Sequence, residues 1–220
     1  MSGIVDVADE VREAIAAGRP VVALETTLVA HGFPSGRGVE VGLESERRIR
    51  DAGAVPATVG VLDGAVRVGI GPSKLERFTA DARKVGPRDL AACAAQGAVG
   101  ATTVGGTLAV CASAGIRALS TGGLGGVHRG WQQAPDVSPD LRALASTPAV
   151  VVSSGAKSLL DVQATSEVLE SLGVPVLGFR TDELPLFYAA RGGPPVSARV
   201  DSAAEAAEIA ARHWELGGDA

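Results

Sequence analysis

The sequence predicts an α/β layered domain built on a largely parallel central sheet, and three observations predict it. Short apolar runs of strand length, such as Val21-Val22-Ala23-Leu24, alternate with stretches whose apolar residues recur at helical spacing. These runs are continuously apolar, which suits strands buried on both faces. Polar or glycine-rich segments follow them directly, at 25–27, 121–130 and 153–157. That is where ligand-binding loops stand in α/β sheets.

The elements follow in order. An amphipathic helix is expected over 5–17, with acids early in it and Gly18-Arg19-Pro20 ending it. The strand 21–24 then delivers Glu25-Thr26-Thr27 at its C-terminal end. A second helix is expected over 39–52. Residues 57–66 read as a hairpin with Asp63-Gly64 as its turn. A helix start with a turn occupies 72–79, and a helix covers 87–96. Residues 102–107 read as a polar, flexible loop, followed by an apolar helix over 108–114 that Gly115 closes. A strand over 118–121 runs into the glycine-rich stretch 122–130. Ser138 caps a helix over 138–145. A buried strand over 149–152 feeds Ser153-Ser154-Gly155-Ala156-Lys157. A long helix over 159–172, a strand over 174–179 and an amphipathic helix over 202–216 complete the chain. No internal repeat or low-complexity linker divides the 220 residues, so one domain over 1–220 is expected.

Composition narrows the function. Aromatic residues are 3% of the chain, too few for a base-stacking surface. The net charge of −5 gives no global attraction to nucleic acid or acidic membranes. Any phosphate must therefore be held by a local pocket. Cys93 and Cys111 have no C-x-x-C spacing and read as small buried side chains. The sequence shows no basic-then-apolar leader and no run of membrane-spanning length, so a cytoplasmic location is expected.

A few residues could carry chemistry. Lys157 follows a turn of small residues between a buried strand and a helix. Apolar walls there would desolvate the amine and free it as a nucleophile; the alternative is a phosphate-binding or simply solvated lysine. A cation at the start of a helix also sits against the helix dipole. Glu25 comes directly after four apolar residues, so it is either a proton donor or a structural partner for a buried cation. The stretch Gly122 to Gly130 resembles an anion cradle but lacks the G-K-[ST] ending of a P-loop. His128-Arg129 within it would bind a phosphate or order the loop. Asp136 is either a ligand for a hard divalent ion or a neighbour of the helix cap. Lys84, beside Arg83, binds an anion or belongs to a basic surface cluster.

Taken together, the segments are more specific than any one alone. Ala23-Leu24-Glu25-Thr26-Thr27-Leu28-Val29-Ala30-His31-Gly32 is followed by Gly53-Ala54-Val55-Pro56-Ala57-Thr58 and Gly100-Ala101-Thr102-Thr103-Val104. Then come Thr121-Gly122-Gly123-Leu124-Gly125-Gly126-Val127-His128-Arg129-Gly130 and Gly155-Ala156-Lys157-Ser158-Leu159-Leu160-Asp161. In this order they resemble the pseudouridine-5′-phosphate glycosidase family, also called the indigoidine synthase A family. The resemblance runs from about residue 4 to 217.

The resemblance implies an α/β/α fold, a homotrimer and a Mn²⁺-assisted lyase with one ion per subunit. Its small-molecule partners would be pseudouridine 5′-phosphate, uracil and ribose 5-phosphate. By position in the motifs, Lys157 matches the family's Schiff-base lysine and Glu25 its proton donor. Lys84, Thr103, Val104, Thr121, His128 and Ser138 match substrate contacts, and Asp136 matches the metal-site aspartate. Thr26 stands where relatives often have Ser, which keeps the hydroxyl. Family members also continue for tens of residues past a segment like His213-Trp214-Glu215, so a C-terminal segment that completes the lid is expected to be missing. Two further readings stay open. One is a related C-glycosylating enzyme of secondary metabolism that uses ribose 5-phosphate. The other is a non-catalytic, truncated phosphosugar-binding homologue.

Overall fold

A computed structural model describes residues 3–34 and 36–220. The chain divides into two compact units, residues 1–120 and residues 121–220.

In the first unit, β1 (Val5–Val7) precedes α1 (Asp9–Ala16), and β2 (Val21–Glu25) leads into α2 (Thr27–His31) and α3 (Arg37–Asp51). The hairpin strands β3 (Val55–Leu62) and β4 (Ala65–Val68) come next, then α4 (Pro72–Leu75) and β5 (Arg83–Val85). A 3-10 turn at Pro87–Asp89 opens onto α5 (Leu90–Ala95). β6 (Gly100–Thr102), α6 (Val104–Ala114) and β7 (Ala118–Ser120) complete the unit.

These strands form a largely parallel sheet. β1 pairs with β4, β2 with both β3 and β7, and β5 with β6, all in parallel. Among the described residues of this unit, the antiparallel strand pairs are β3–β4 and β3–β6. β3 is the centre. All eight of its residues are buried, and α1, α3, α5 and α6 pack on it. A strand with both alternating sets of side chains buried needs cover on both faces, which makes the unit an α/β/α layer. The expected hairpin forms, with Leu62 opposite Ala65 and both Asp63 and Gly64 at positive φ. Beside the sheet, α2 and α3 enclose a core of Val29, Ala30, Leu62, Ile70, Leu75 and Phe78.

Several elements differ from those expected from the sequence. Val5-Asp6-Val7 is a strand and not the first turn of a helix, because its backbone pairs with Val66-Arg67-Val68. The amphipathic helix begins only at Asp9. Residues 103–107 are not a flexible loop. Thr103 caps α6, its hydroxyl accepting the Gly106 amide, and Val104 to Thr107 are buried helix. Gly115 closes that helix in the left-handed conformation, as expected. Short β5 and β6 carry too few residues to show an alternation.

In the second unit, α7 (Pro139–Ala145) and β8 (Val150–Val152) precede α8 (Val162–Ser171), β9 (Leu177–Phe179), β10 (Ala198–Val200) and α9 (Ala203–Glu215). β9 and β10 pair in parallel. Ser138, Asp161 and Ser202 cap α7, α8 and α9 with their side chains. The helix expected from 159 therefore starts later, at Val162. Lys157 lies outside its first turn, so the helix-dipole argument does not reach it.

Candidate active site

Within the first unit, two strands end facing each other. β2 pairs with β3 as far as Glu25 opposite Val59, and β6 takes up β3 at Gly60 and Val61, running the other way. The C-terminal ends of β2 and β6 therefore meet at Val59. The Val59 carbonyl accepts the Thr26 hydroxyl at 2.8 Å and the Thr102 hydroxyl at 2.7 Å. The Thr26 oxygen accepts the Thr102 amide at 2.9 Å, and the Thr107 hydroxyl donates to Thr102 at 3.0 Å. Thr27 donates to the Thr102 carbonyl at 2.6 Å. Thr26, Thr102 and Thr107 are fully buried, and each hydroxyl has a partner.

This network fixes the segments the sequence singled out. Glu25, immediately before Thr26, is 5% exposed at the end of β2. Thr103 follows Thr102, and its amide donates to the Val85 carbonyl at 2.9 Å, which ties it to the strand that carries Lys84. Lys84 lies opposite Ala101 and is exposed. Glu25, Lys84, Thr103 and Val104 are thus brought to one end of one sheet. A small cleft beside Glu25 is lined by Leu28, Val29, Thr58 and Ser120. The larger cavity next to it, about 280 Å³, lies between β2 and α3, with Leu24, Ser45, Arg48 and Ile49 in its wall.

The second unit holds Thr121, His128, Asp136, Ser138 and Lys157. Here the glycine-rich loop is laced to the lysine loop. The Leu124 amide donates to the Gly155 carbonyl at 2.9 Å, the Lys157 amide to Leu124 at 3.1 Å, and the Asp161 amide to Val127 at 2.9 Å. The Thr121 amide donates to Val152 at the end of β8. Gly155 has a φ of +87°, and a Cβ there would strike the Pro185 carbonyl, so only glycine makes this turn. A Cβ on Gly125 would collide with Ser138 and the Asp140 carboxylate. Ser138, which caps α7, is held against the loop by its amide, which donates to Gly126 at 2.9 Å.

Four amides of the loop are turned to the protein and not toward an anion. The amides of Leu124, Gly125, Val127 and His128 already donate to Gly155, Asp140, Thr165 and Asp136 respectively. Its glycines allow close packing under the lysine loop, and sequence alone could not separate that role from anion binding. Lys157 itself is half-buried in this lattice.

His128 Nδ1 lies 3.7 Å from the Asp136 carboxylate, and its amide donates to the Asp136 carbonyl. No group of three His, Cys, Asp or Glu residues that could hold a metal occurs among the described residues. One carboxylate, 67% exposed, fits a hydrated divalent ion with water in most positions, and not a closed protein cage. Neither cysteine competes as a nucleophile. Both are buried and free, and burial raises the Cys111 thiol to about 12 and the Cys93 thiol above its usual value. No helix among the described residues is long and apolar enough to cross a membrane.

An α/β fold with ionisable side chains in the loops at its strand ends defines a ligand-handling class of protein. The chain belongs to the family described as Indigoidine synthase A like protein, whose model matches residues 10–220. It is 52% identical over 211 residues to a pseudouridine-5′-phosphate glycosidase of Streptomyces griseus subsp. griseus, covering 95% of this chain and 65% of that protein. It is 50% identical to a pseudouridine-5′-phosphate glycosidase of Nocardioides sp., covering 95% of this chain and 69% of the relative. Among solved structures it resembles the prealnumycin C-glycosynthase AlnA in complex with ribulose 5-phosphate. The TM-score is 0.90 at 42% identity, over 100% of this chain and 72% of that one. The chain thus spans about two thirds of the length of its curated relatives.

Proposed function

We propose that this chain acts as a pseudouridine-5′-phosphate glycosidase, which reversibly splits the C–C glycosidic bond of pseudouridine 5′-phosphate, with water, to give uracil and ribose 5-phosphate. The observation that carries the reading is the family match over residues 10–220, with Glu25 as the last residue of β2 and Lys157 in the loop that leaves β8.

The bond to be broken joins two carbons, and a uracil carbanion is a poor leaving group. The pair of carboxylates that serves ordinary glycosidases is therefore insufficient. Glu25 protonates the ring oxygen, the C1′–O4′ bond opens, and the Lys157 amine bonds to C1′. The adduct nitrogen gives up a proton, and its lone pair then forms C=N as the bond between C1′ and uracil C5 breaks. The released electron pair passes to C5, which takes a proton. Water hydrolyses the imine, freeing the lysine and the sugar aldehyde. Glu25 is 5% exposed, so its carboxyl is shielded from bulk water. Lys84, Thr103, Val104, Thr121, His128 and Ser138 bind and orient the substrate. Asp136 would hold Mn²⁺ with its water shell, and the ion would supply positive charge toward the substrate. A homotrimer in the cytoplasm completes the proposal, supported by the family resemblance.

A second reading has its own support. The likeness to a C-glycosynthase bound to ribulose 5-phosphate favours an enzyme that joins a pentose phosphate to another carbon acceptor. The same lysine and acid would serve it. The test is direct. Incubation with pseudouridine 5′-phosphate should release uracil, with loss of absorbance specific to the C-nucleoside. Absence of uracil, together with consumption of ribose 5-phosphate and a different acceptor, would favour the synthase.

A further inference from the structure

We propose that Arg129 is a positioning residue for Lys157, holding the lysine loop through two main-chain carbonyls. The inference rests on Lys157 as the nucleophile of the proposed reaction. The Arg129 Nε donates to the Leu160 carbonyl at 3.2 Å, and its Nη2 donates to the Ser158 carbonyl at 3.1 Å. The Leu160 amide in turn donates to the carbonyl of Lys157 at 3.0 Å, closing the turn that begins at the lysine. One guanidinium thus spans the segment immediately after the nucleophile.

The fork shape of the side chain is what this task needs. Arginine presents several N–H donors in a fixed plane, so one residue bonds two acceptors and sets the spacing between them. A lysine at 129 would have one flexible ammonium and would set neither. None of the ion pairs among the described residues involves Arg129, so no carboxylate competes for the guanidinium. Its own backbone is fixed from the other side. His128, the residue before it, bridges Leu160 in antiparallel fashion, and the Asp161 amide donates to Val127. The two loops are therefore joined by main-chain bonds at Leu124 and at Val127, and between these ties Arg129 holds the carbonyls of Ser158 and Leu160.

The geometry distinguishes this role from direct phosphate binding, the other use of an arginine beside a phosphosugar. Two of the donor directions are spent on carbonyls, and removing them frees the loop whether or not the substrate carries a phosphate. Imine formation depends on placing the amine near the carbonyl carbon, and small displacements of a reacting group cost rate steeply.

The experiment compares the wild-type chain with Arg129→Ala and Arg129→Lys. Each is incubated with ribose 5-phosphate or with unphosphorylated ribose under cyanoborohydride. The rate at which the Lys157 peptide gains the sugar mass is followed. Positioning predicts a loss of about tenfold in Arg129→Ala, similar for both sugars, with little rescue by Arg129→Lys. A loss confined to the phosphorylated sugar would make Arg129 a phosphate contact and overturn the proposal. An unchanged rate with both sugars would also overturn it. If Lys157 of the wild-type chain takes no label, the nucleophile reading fails, and the clamp is judged by amide exchange alone. Faster exchange at Leu160 and Asp161 in Arg129→Ala supports the clamp, and unchanged exchange there refutes it.

Discussion

The Thr26 hydroxyl oxygen accepts the backbone amide of Thr102 at 2.9 Å, joining two segments that are 76 residues apart. Through this bond the end of β2, which carries Glu25, is fixed to the end of β6, just before the Thr103 cap of α6. Thr26→Ser keeps the oxygen and should leave stability nearly unchanged. Thr26→Val keeps the shape but leaves the buried Thr102 amide without its acceptor, while the Val59 carbonyl keeps the Thr102 hydroxyl. It should cost about 1–3 kcal/mol, read as a lower denaturant midpoint. Equal stability of Thr26→Val and Thr26→Ser would contradict the network.

Glu25→Gln keeps the volume of the buried side chain and removes its proton. Substrate binding should persist while the turnover rate falls by roughly a hundredfold or more, the usual scale of acid–base catalysis. Near-normal turnover would show that Glu25 is a structural partner and not the acid.

A second carboxylate predicts a pH effect on stability. Glu46 of α3 accepts the Thr58 hydroxyl, and it is half-buried. Burial raises its carboxyl above the ordinary value of 4.5, against the lowering effects of the Thr58 bond and the Arg50 charge, with Glu10 adding to the rise. The folded state thus binds this proton more tightly than the unfolded state. The favourable contribution is complete below the unfolded value and is lost as pH rises through the folded one. Glu46→Gln retains an acceptor for Thr58 without the buried charge. It should be more stable than the wild-type chain near pH 7, and the advantage should vanish below about pH 4. Denaturant midpoints at the two pH values decide it.

If a hydrated ion sits at Asp136, activity should fall on chelation and return with added Mn²⁺, and Asp136→Ala should lose the response. Full activity in chelator, with Asp136→Ala equally active, would remove the metal from the account.

The fold class was legible because β2, β3 and β8 are apolar runs and the helices between them carry a 3.6-residue period. Glu25 and Lys157 were legible as strand-end residues for the same reason. The errors have a physical pattern. β1 was hidden because three residues are too few to show an alternation, and Val7 falls in helical register with Val11 and Ala14 of α1. The start of α6 was hidden because Val104-Gly105-Gly106-Thr107 has poor helix formers that burial overrides. The threonine network and the Arg129 clamp were out of reach, since each rests on tertiary hydrogen bonds between segments distant in sequence. His128-Arg129 was noticed, but nothing in the spacing shows that the guanidinium turns to Ser158 and Leu160.

If Lys157 bonds covalently to the sugar, reduction traps the adduct on that residue. The protein is incubated with ribose 5-phosphate, reduced with borohydride, digested, and mapped by mass spectrometry. The account predicts a pentitol-phosphate addition on the peptide containing Gly155-Ala156-Lys157, absent in Lys157→Ala, whose fold should persist because the side chain lies in a half-exposed loop. A stable addition on Lys84, or none on Lys157 while uracil is still released from pseudouridine 5′-phosphate, would contradict it.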